Sequence, residues 1–551
     1  MPFFCAQFRF MTNLEQPLSV ADFPRPHASD HPQWRELADF AWECAGRHIR
    51  STQGRRHMDV GWDAGRNLQW VWDSCFMALF ARYAPEALPG MASLDNFYER
   101  QREDGFIGMC YDMETGIEPW PDRLNPPLFA WAEWNYWRST GDASRLPRVL
   151  GHIERLMDWV DANRRTEPHR RLRANDGEDA GMGESADNYQ LYWFEDCGSS
   201  GMDDSPRTPR LPAAGRFFDW IDLSSQMALS FRLLAELHNA IGDSVAAARW
   251  KTRHEETAAL INAELWCERT GFYHDRMIPA NFVGTKTVAG FWPLLAGICP
   301  ADRAAILAAH LTDPKTFGSL VPVPSLSLDD PNYDPQGTYW RGGVWAPTNY
   351  MVLRGLAENG HGDLAHQLAV RYLDALAKTY AEVEPPTLWE SNAPEAFKPA
   401  LQPYIGGFVR RDFVGWSGLG PTAIFIENVL GFDVDAPQRT VTWHIRLLEE
   451  HGVEALPIGG GHHADFRCAS RNSTTEPASV IVNAEAPFDL ILRHGGRTKR
   501  HSILPGVENC LSLSPSVEAH PTIQAGRGGF QKVPKPLRQI PPVEVGVPVL
   551  R

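Results

Sequence analysis

"AIGDSV", residues 240–245, separates two stretches of helical periodicity, and its conformation decides the fold. Gly242 can take the left-handed conformation that ends one helix, and Asp243 can cap the next, so the chain must reverse within a few residues. Two further connections are built alike, "STGDAS" around Gly141 and "NGHGDL" around Gly362. Each predicts an antiparallel helical hairpin. The flanking sequence agrees: "SRLPRVLGHIERLMDWV" sets Val149, Ile153, Leu156 and Val160 on one stripe, and "GDLAHQLAVRYLDAL" does so with Leu364, Leu368 and Tyr372.

Helical periodicity recurs near 32–49, 72–83, 90–101, 127–140, 144–163, 219–240, 245–264, 287–297, 301–310, 341–358, 361–380 and 416–430. These make roughly twelve helices, or six hairpins, in a mainly α chain. No fixed repeat length runs through them, which disfavours an open superhelical array and favours closure into a double ring spanning residues 30–435. Three long inserts, 102–126, 165–218 and 311–340, are rich in Gly, Pro, Asp and Asn, as functional loops are. The second contains the Gly-rich run "ANDGEDAGMGES", which permits hinge motion. From about 436 to 520 the texture changes to short alternating runs, "RTVTWHIRLL", "ASVIVNA" and "FDLILRHGG", which predict a small β-sandwich appendage. Residues 1–29 read as an N-terminal extension and 521–551 as a Pro-rich tail.

With 43% hydrophobic and 22% charged residues, the 551-residue chain has ordinary globular composition. No apolar run of about 18 residues is present, so no membrane span is expected. A formal net charge of -15 argues against nucleic acid as a partner and for a small or neutral one. Nine Cys without a CxxC pair indicate neither a disulfide framework nor a zinc site, and fit reduced thiols in the cytoplasm. The opening "MPFFCAQFRFMTNLEQPLS" lacks the basic start and long apolar run of a secretory leader. No metal and no cofactor are expected, and a homo-oligomer is left open.

Chemistry is concentrated in five segments. "SSGMDDSPR" (199–207) places Asp203 and Asp204 side by side in a turn. "QWVWDSCFM" carries Trp70, Trp72 and Asp73; "EDGFIGM" carries Asp104 and Phe106; "TYWRGGVWAP" carries Tyr339, Trp340, Arg341 and Trp345; "TLWESNAPE" carries Trp389 and Glu390. A single Trp beside a charge at a helix start is most often core plus cap. Five such segments, with Asp73 and Arg341 at helix starts and Asp203 and Glu390 in loops, could instead converge on one mouth of the ring. The 20 Trp and 27 Phe would serve both a large core and a sugar-stacking pocket.

These segments, with "DWIDLSSQMAL", "LWCERTGFYHD", "YWRGGVWAPTNYMVLRGL" and "GWSGLGPTAIFIENVLGFDVDAP", resemble in this order the landmarks of the trehalase-like and processing-glucosidase-like glycoside hydrolases, nearest the mannosylglycerate or glucosylglycerate hydrolase type. The likeness covers most of residues 60–435. It implies an (α/α)6 barrel and an inverting α-glycosidase that cleaves a small α-linked glucoside or related glycoside, with a small carbohydrate as partner. It places the general acid on Asp203 and the general base on Glu390. Trp72, Asp73, Trp340, Arg341 and Trp345 fall on the subsite for the non-reducing sugar, with the indoles packing on sugar rings, and Tyr339 on a leaving-group contact. Inversion calls for the two carboxyls to stand about 6.5–9.5 Å apart, leaving room for water. Asp204 would raise its neighbour's pKa and bond local backbone N–H groups.

The chain departs from that pattern in four places. Ser199 stands for a Glu, Asp204 for an Asn, Asn392 for an aromatic residue, and Asn125, a further sugar-contact candidate, for a Gln. A phosphorylase or epimerase on the same ring, and an inactive carbohydrate-binding protein, remain as alternatives. An epimerase would lean on paired His, but His462 and His463 of "GHH" lie in the β appendage.

Overall fold

A computed structural model describes residues 23–60, 67–165, 191–208, 218–277, 281–403 and 406–516. Residues 174–185, the Gly-rich run, and the 521–551 tail lie outside the described residues, as does most of the 1–29 extension. Every segment of helical periodicity is found as helix: α1 (Pro32–Arg47), α2 (Val71–Ala81), α3 (Gly90–Tyr98), α4 (Phe129–Thr140), α5 (Leu146–Arg164), α6 (Ile221–Ala240), α7 (Ser244–Glu264), α8 (Trp292–Ala296, after a 3-10 turn at Val288–Phe291), α9 (Ala301–His310), α10 (Ala346–Glu358), α11 (Gly362–Glu382) and a π-helix (Gly420–Val429). Among the described residues, no helix is long and apolar enough to cross a membrane.

The hairpin at 240–245 forms as its residues dictate. Gly242 has φ +82°, and the Asp243 carboxylate accepts the Ala246 N–H at 3.0 Å. At the other two turns the Asp does a different job. Gly141 ends α4 in the left-handed conformation, but Asp142 caps the turn through Ser144 N–H rather than the next helix. In "NGHGDL" the left-handed residue is Gly360 rather than Gly362, and Asp363 binds Arg446 at 2.9 Å.

Two kinds of helix result. Every residue of α2 is buried, whereas α7 buries only Ala247, Trp250, Thr257 and Ile261. A helix apolar on all sides needs protein on all sides, and an amphipathic one can face water. The buried kind touch in series: α2 packs on α4, α4 on α6, α6 on α8, α8 on α10, α10 on the π-helix, and the π-helix on α2. Aromatic rings from four of them meet at the centre, with Trp131 5.7 Å from Tyr350 and 6.2 Å from Trp292, and Trp292 6.5 Å from Trp72. Each of these six helices follows a long connection, and five of them are followed by a short one. The long connections and the first turns of the buried helices therefore carry the chemistry-bearing segments.

At the far ends of these helices, Glu427 of the π-helix accepts from Arg82, from Tyr83 Oη at 2.9 Å, from Tyr350 Oη at 3.0 Å and from Arg354 at 3.0 Å. Gly420 of the π-helix lies against α11, where an added Cβ would meet Leu376 Cδ1 and push that side chain aside.

Beyond the helices, strands 432–435, 440–444, 488–494 and 497–503 form a four-stranded sheet. Strands 451–459, 462–468, 478–484 and 509–513 form a second sheet, joined by Arg25–Ala28. Burial of 478–484 alternates strictly on the inward side, the period of two read from "ASVIVNA". Phe432 stacks on Trp443 at 4.6 Å, and Phe466 of the second sheet meets both Trp443 and Phe488 of the first. The pairing of Arg25–Ala28 with His451–Glu454 corrects the expectation that residues up to 29 are a mere extension. A strand that short gains its stability from the sheet it joins, and its own sequence carries little signal of it.

Candidate active site

The acid-bearing loop is folded by its own backbone. Ser199 N–H binds the Asp196 carboxylate at 3.0 Å, and the N–H groups of Gly201 and Met202 bind the carbonyls of Gly198 and Cys197. Gly201 has φ +79°, and an added Cβ would lie 3.3 Å from the Trp72 indole, so a side chain there would be strained and would press on the ring. The two adjacent carboxylates then part company. Asp204 is buried: it accepts the Trp340 N–H at 2.9 Å and lies 3.3 Å from Arg341 Nε. It thus ties the loop to a segment more than a hundred residues away, where local backbone bonding was expected. Asp203 keeps its side chain exposed. Desolvation by the surrounding protein raises its pKa to about 7, aided by the charges of Glu390, Asp204 and Asp196 and opposed by Arg410.

Glu390 is the opposite case, with no exposed surface. Its Oε1 accepts from Arg410 Nη1 at 2.7 Å and from Tyr339 Oη at 3.1 Å, and its Oε2 accepts the Arg410 N–H at 3.3 Å. Its carbonyl oxygen takes the Trp416 indole N–H at 2.9 Å. Burial pushes the Glu390 carboxyl up, and the Arg410 cation works against that. Asp73, in the first turn of α2, is pushed up to about 8 by burial first and then by the charges of Glu390 and Asp203. Three carboxyls and one guanidinium therefore share one electrostatic site.

The aromatic residues have a different role from the one expected. Trp340 and Trp345 stack on each other at 4.1 Å, Trp345 meets Tyr339 and Trp416 edge-on, and all but a few per cent of each ring is covered. Their faces support the wall instead of lying open to a sugar ring. The indole N–H groups of Trp72 and Trp345 are buried without a protein partner among the described residues. Tyr339 holds φ +48°, a conformation L-residues rarely take, and directs its hydroxyl onto Glu390. Arg341 precedes α10 by several residues, not at its start as expected, and is engaged by Asp204. Asn125 is a brace: its Oδ1 takes the Trp72 N–H at 3.0 Å and its Nδ2 binds the Ser199 carbonyl at 3.1 Å. Asp104 lies apart, bonded to the Trp159 indole at 3.0 Å. His462 and His463 occupy the hairpin of the second sheet.

Arg410 and Trp416 were not foreseen. Arg410 lies in the "RRDFVGW" run, which has no spacing relation to Glu390, and Trp416 opens the "GWSGLGP" landmark without having been given a role. Arg207, wholly buried, was also missed; it pairs with Asp222 and Asp275 and lies 4.3 Å over the Trp220 ring, fastening the far end of the acid loop. Among the described residues, Cys44, His48 and Asp412 form one cluster with metal-ligand atoms. Arg47 and His48 already hydrogen-bond the two Asp412 oxygens, at 3.0 and 3.1 Å, which accounts for the cluster as an anchor of the segment carrying Arg410.

The model of the mannosylglycerate hydrolase MGH1-like glycoside hydrolase domain matches residues 66–396, which contain Asp73, Asp203 and Glu390. An uncharacterized protein of Borreliella burgdorferi is 25% identical over 391 residues, 70% of this chain and 76% of its own length. The mannosylglycerate hydrolase of Thermus thermophilus is 36% identical over 116 residues, 20% of this chain and 26% of that enzyme. A probable mannosyl-oligosaccharide glucosidase of Schizosaccharomyces pombe is 29% identical over 175 residues, covering 30% of this chain and 21% of the relative. In three dimensions the chain is similar to a GH63 mannosylglycerate hydrolase from Thermus thermophilus in complex with glucose, with TM-score 0.54, 22% identity, and 70% of this chain and 98% of that one covered. With more than half of its length matched by the family model, this chain belongs to the mannosylglycerate hydrolase MGH1-like glycoside hydrolases, enzymes that hydrolyse glycosidic bonds.

Proposed function

We propose that the protein is an inverting α-glycosidase that hydrolyses a small α-linked glucoside or related glycoside, a disaccharide, oligosaccharide or glycosyl-glycerate, by single displacement. Asp203 donates its proton to the leaving oxygen as the glycosidic bond breaks. Glu390 takes a proton from the water whose oxygen forms the new bond at the anomeric carbon. The observation that carries this assignment is the contrast between the two carboxyls. Asp203 is accessible, free of hydrogen bonds among the described residues and raised to about 7, as a proton donor should be. Glu390 is held by Arg410, and with two donors on Oε1 and one on Oε2 it keeps a lone pair on Oε2 for the water.

Asp73 is the sugar-hydroxyl contact in this scheme, Trp72 and Trp345 shape the wall behind it, and Tyr339 orients the base. The serial packing of six buried helices supports an (α/α)6 barrel over residues 30–435, and the two facing sheets support a β-sandwich over 436–520. Incubation with α-linked disaccharides and glycosyl-glycerates, with the released sugar followed by NMR from the first seconds, tests the proposal. The β-anomer should appear first and without any need for phosphate. Initial release of the α-anomer, or a requirement for phosphate, would refute single-displacement hydrolysis.

A further inference from the structure

The mouth of the site carries an aromatic pair that the displacement chemistry leaves unused. Trp70 ends the strand Leu68–Trp70, three residues before Asp73, and its ring lies 5.4 Å from that of Trp120 at 34°. Trp120 is 39% exposed, whereas the other indoles among the described residues are mostly covered. It belongs to the long connection between α3 and α4, at the same end of the helices as Asp73 and the acid loop.

The exposed indole is held in place from several directions. Arg102 binds Glu118 at 2.6 Å and the Pro121 carbonyl, and Arg164 binds the Asp122 carbonyl at 3.1 Å. Arg123, three residues beyond Trp120, pairs with Asp196 at 2.6 Å. Asp196 opens the acid loop, and its charge reaches Asp203. The connection that carries Trp120 is thus tied through Arg123 and Asp196 to the loop that carries the proton donor. An indole presents a flat apolar face that suits the C–H face of a pyranose. A glycerate offers a carboxylate instead, and among the described residues the cations beside the aromatic pair, Arg102, Arg123 and Arg164, are paired with Glu118, Asp196 and Glu195.

We infer that Trp70 and Trp120 form the leaving-group platform and that the leaving group is a second pyranose ring, so that the substrate is an oligosaccharide and not a glycosyl-glycerate. This rests on Asp203 and Glu390 cleaving a glycosidic bond. The test compares the full chain with W120A and W120F on α-linked glucosyl-glucose and mannosyl-mannose disaccharides, and on glucosylglycerate and mannosylglycerate. The disaccharide should be the better wild-type substrate. W120A should lower its kcat/KM about tenfold, the scale of one aromatic contact, while W120F stays near wild type and the glycerate rate is unchanged. A wild-type preference for the glycerate, or a W120A effect that is absent or equal on both classes, would overturn the platform. Failure of the wild type to cleave any of them would instead remove the glycosidase assignment beneath it.

Discussion

The two ends of the buried helices hold carboxyls in opposite states. At one end Glu427 accepts from Arg82, Tyr83, Tyr350 and Arg354, so its lone pairs are spent on the protein itself. At the other, Asp203 has no hydrogen-bond partner among the described residues and Asp73 is crowded by two further acids, while Glu390 takes three hydrogen bonds but pairs with one cation, Arg410. A saturated carboxylate is a structural hub. A deprived one has a displaced pKa and is ready to exchange a proton. The same residue type thus serves stability or chemistry according to how many donors surround it.

The sharpest way to break this contrast is at the open end. Glu390→Gln should reduce kcat by about three orders of magnitude and leave sugar binding intact, as read by calorimetry alongside steady-state kinetics. A variant with near wild-type turnover would remove Glu390 from the base role. At the closed end the loss should fall on folding instead. Glu427→Gln strands Arg82 and Arg354 and should cost about 3–5 kcal/mol in urea unfolding, with the KM of the folded enzyme unchanged.

Smaller effects sharpen the comparison. Since turnover needs Asp203 protonated, kcat/KM should decline as pH rises through about 7. Arg410→Met removes the cation that holds Glu390 ionised, so the pKa of the base rises. The acidic limb of the profile should then move up by about one to two pH units, the worth of one charge-assisted hydrogen bond. Asp204→Asn keeps an acceptor for the Trp340 N–H but deletes a charge near Asp203. The alkaline limb should shift slightly downward, the smallest change of the series.

The helices and alternating strands were legible because their signal is local. Apolar spacing at 3.6 or 2 residues and a Gly-Asp turn act over a few positions. The acid and base candidates could be named because their motifs are contiguous, as "SSGMDDSPR" and "TLWESNAPE" are. Arg410 on Glu390, Arg207 on Asp222 and Asp275, and the short strand 25–28 on 451–454 were not legible. Each depends on residues that only the packed chain brings together.

By itself, the order of residues determined where helices begin and turn, which stretches alternate as strands, and which acids sit in loops. Only the tertiary structure decided which of two adjacent aspartates faces solvent, which arginine holds the glutamate, and that the stacked Trp340 and Trp345 are wall and not platform. The physical reason is range. Backbone periodicity and capping are settled within one or two turns, whereas burial, charge pairing and the pKa of a carboxyl depend on every group that closure places around it.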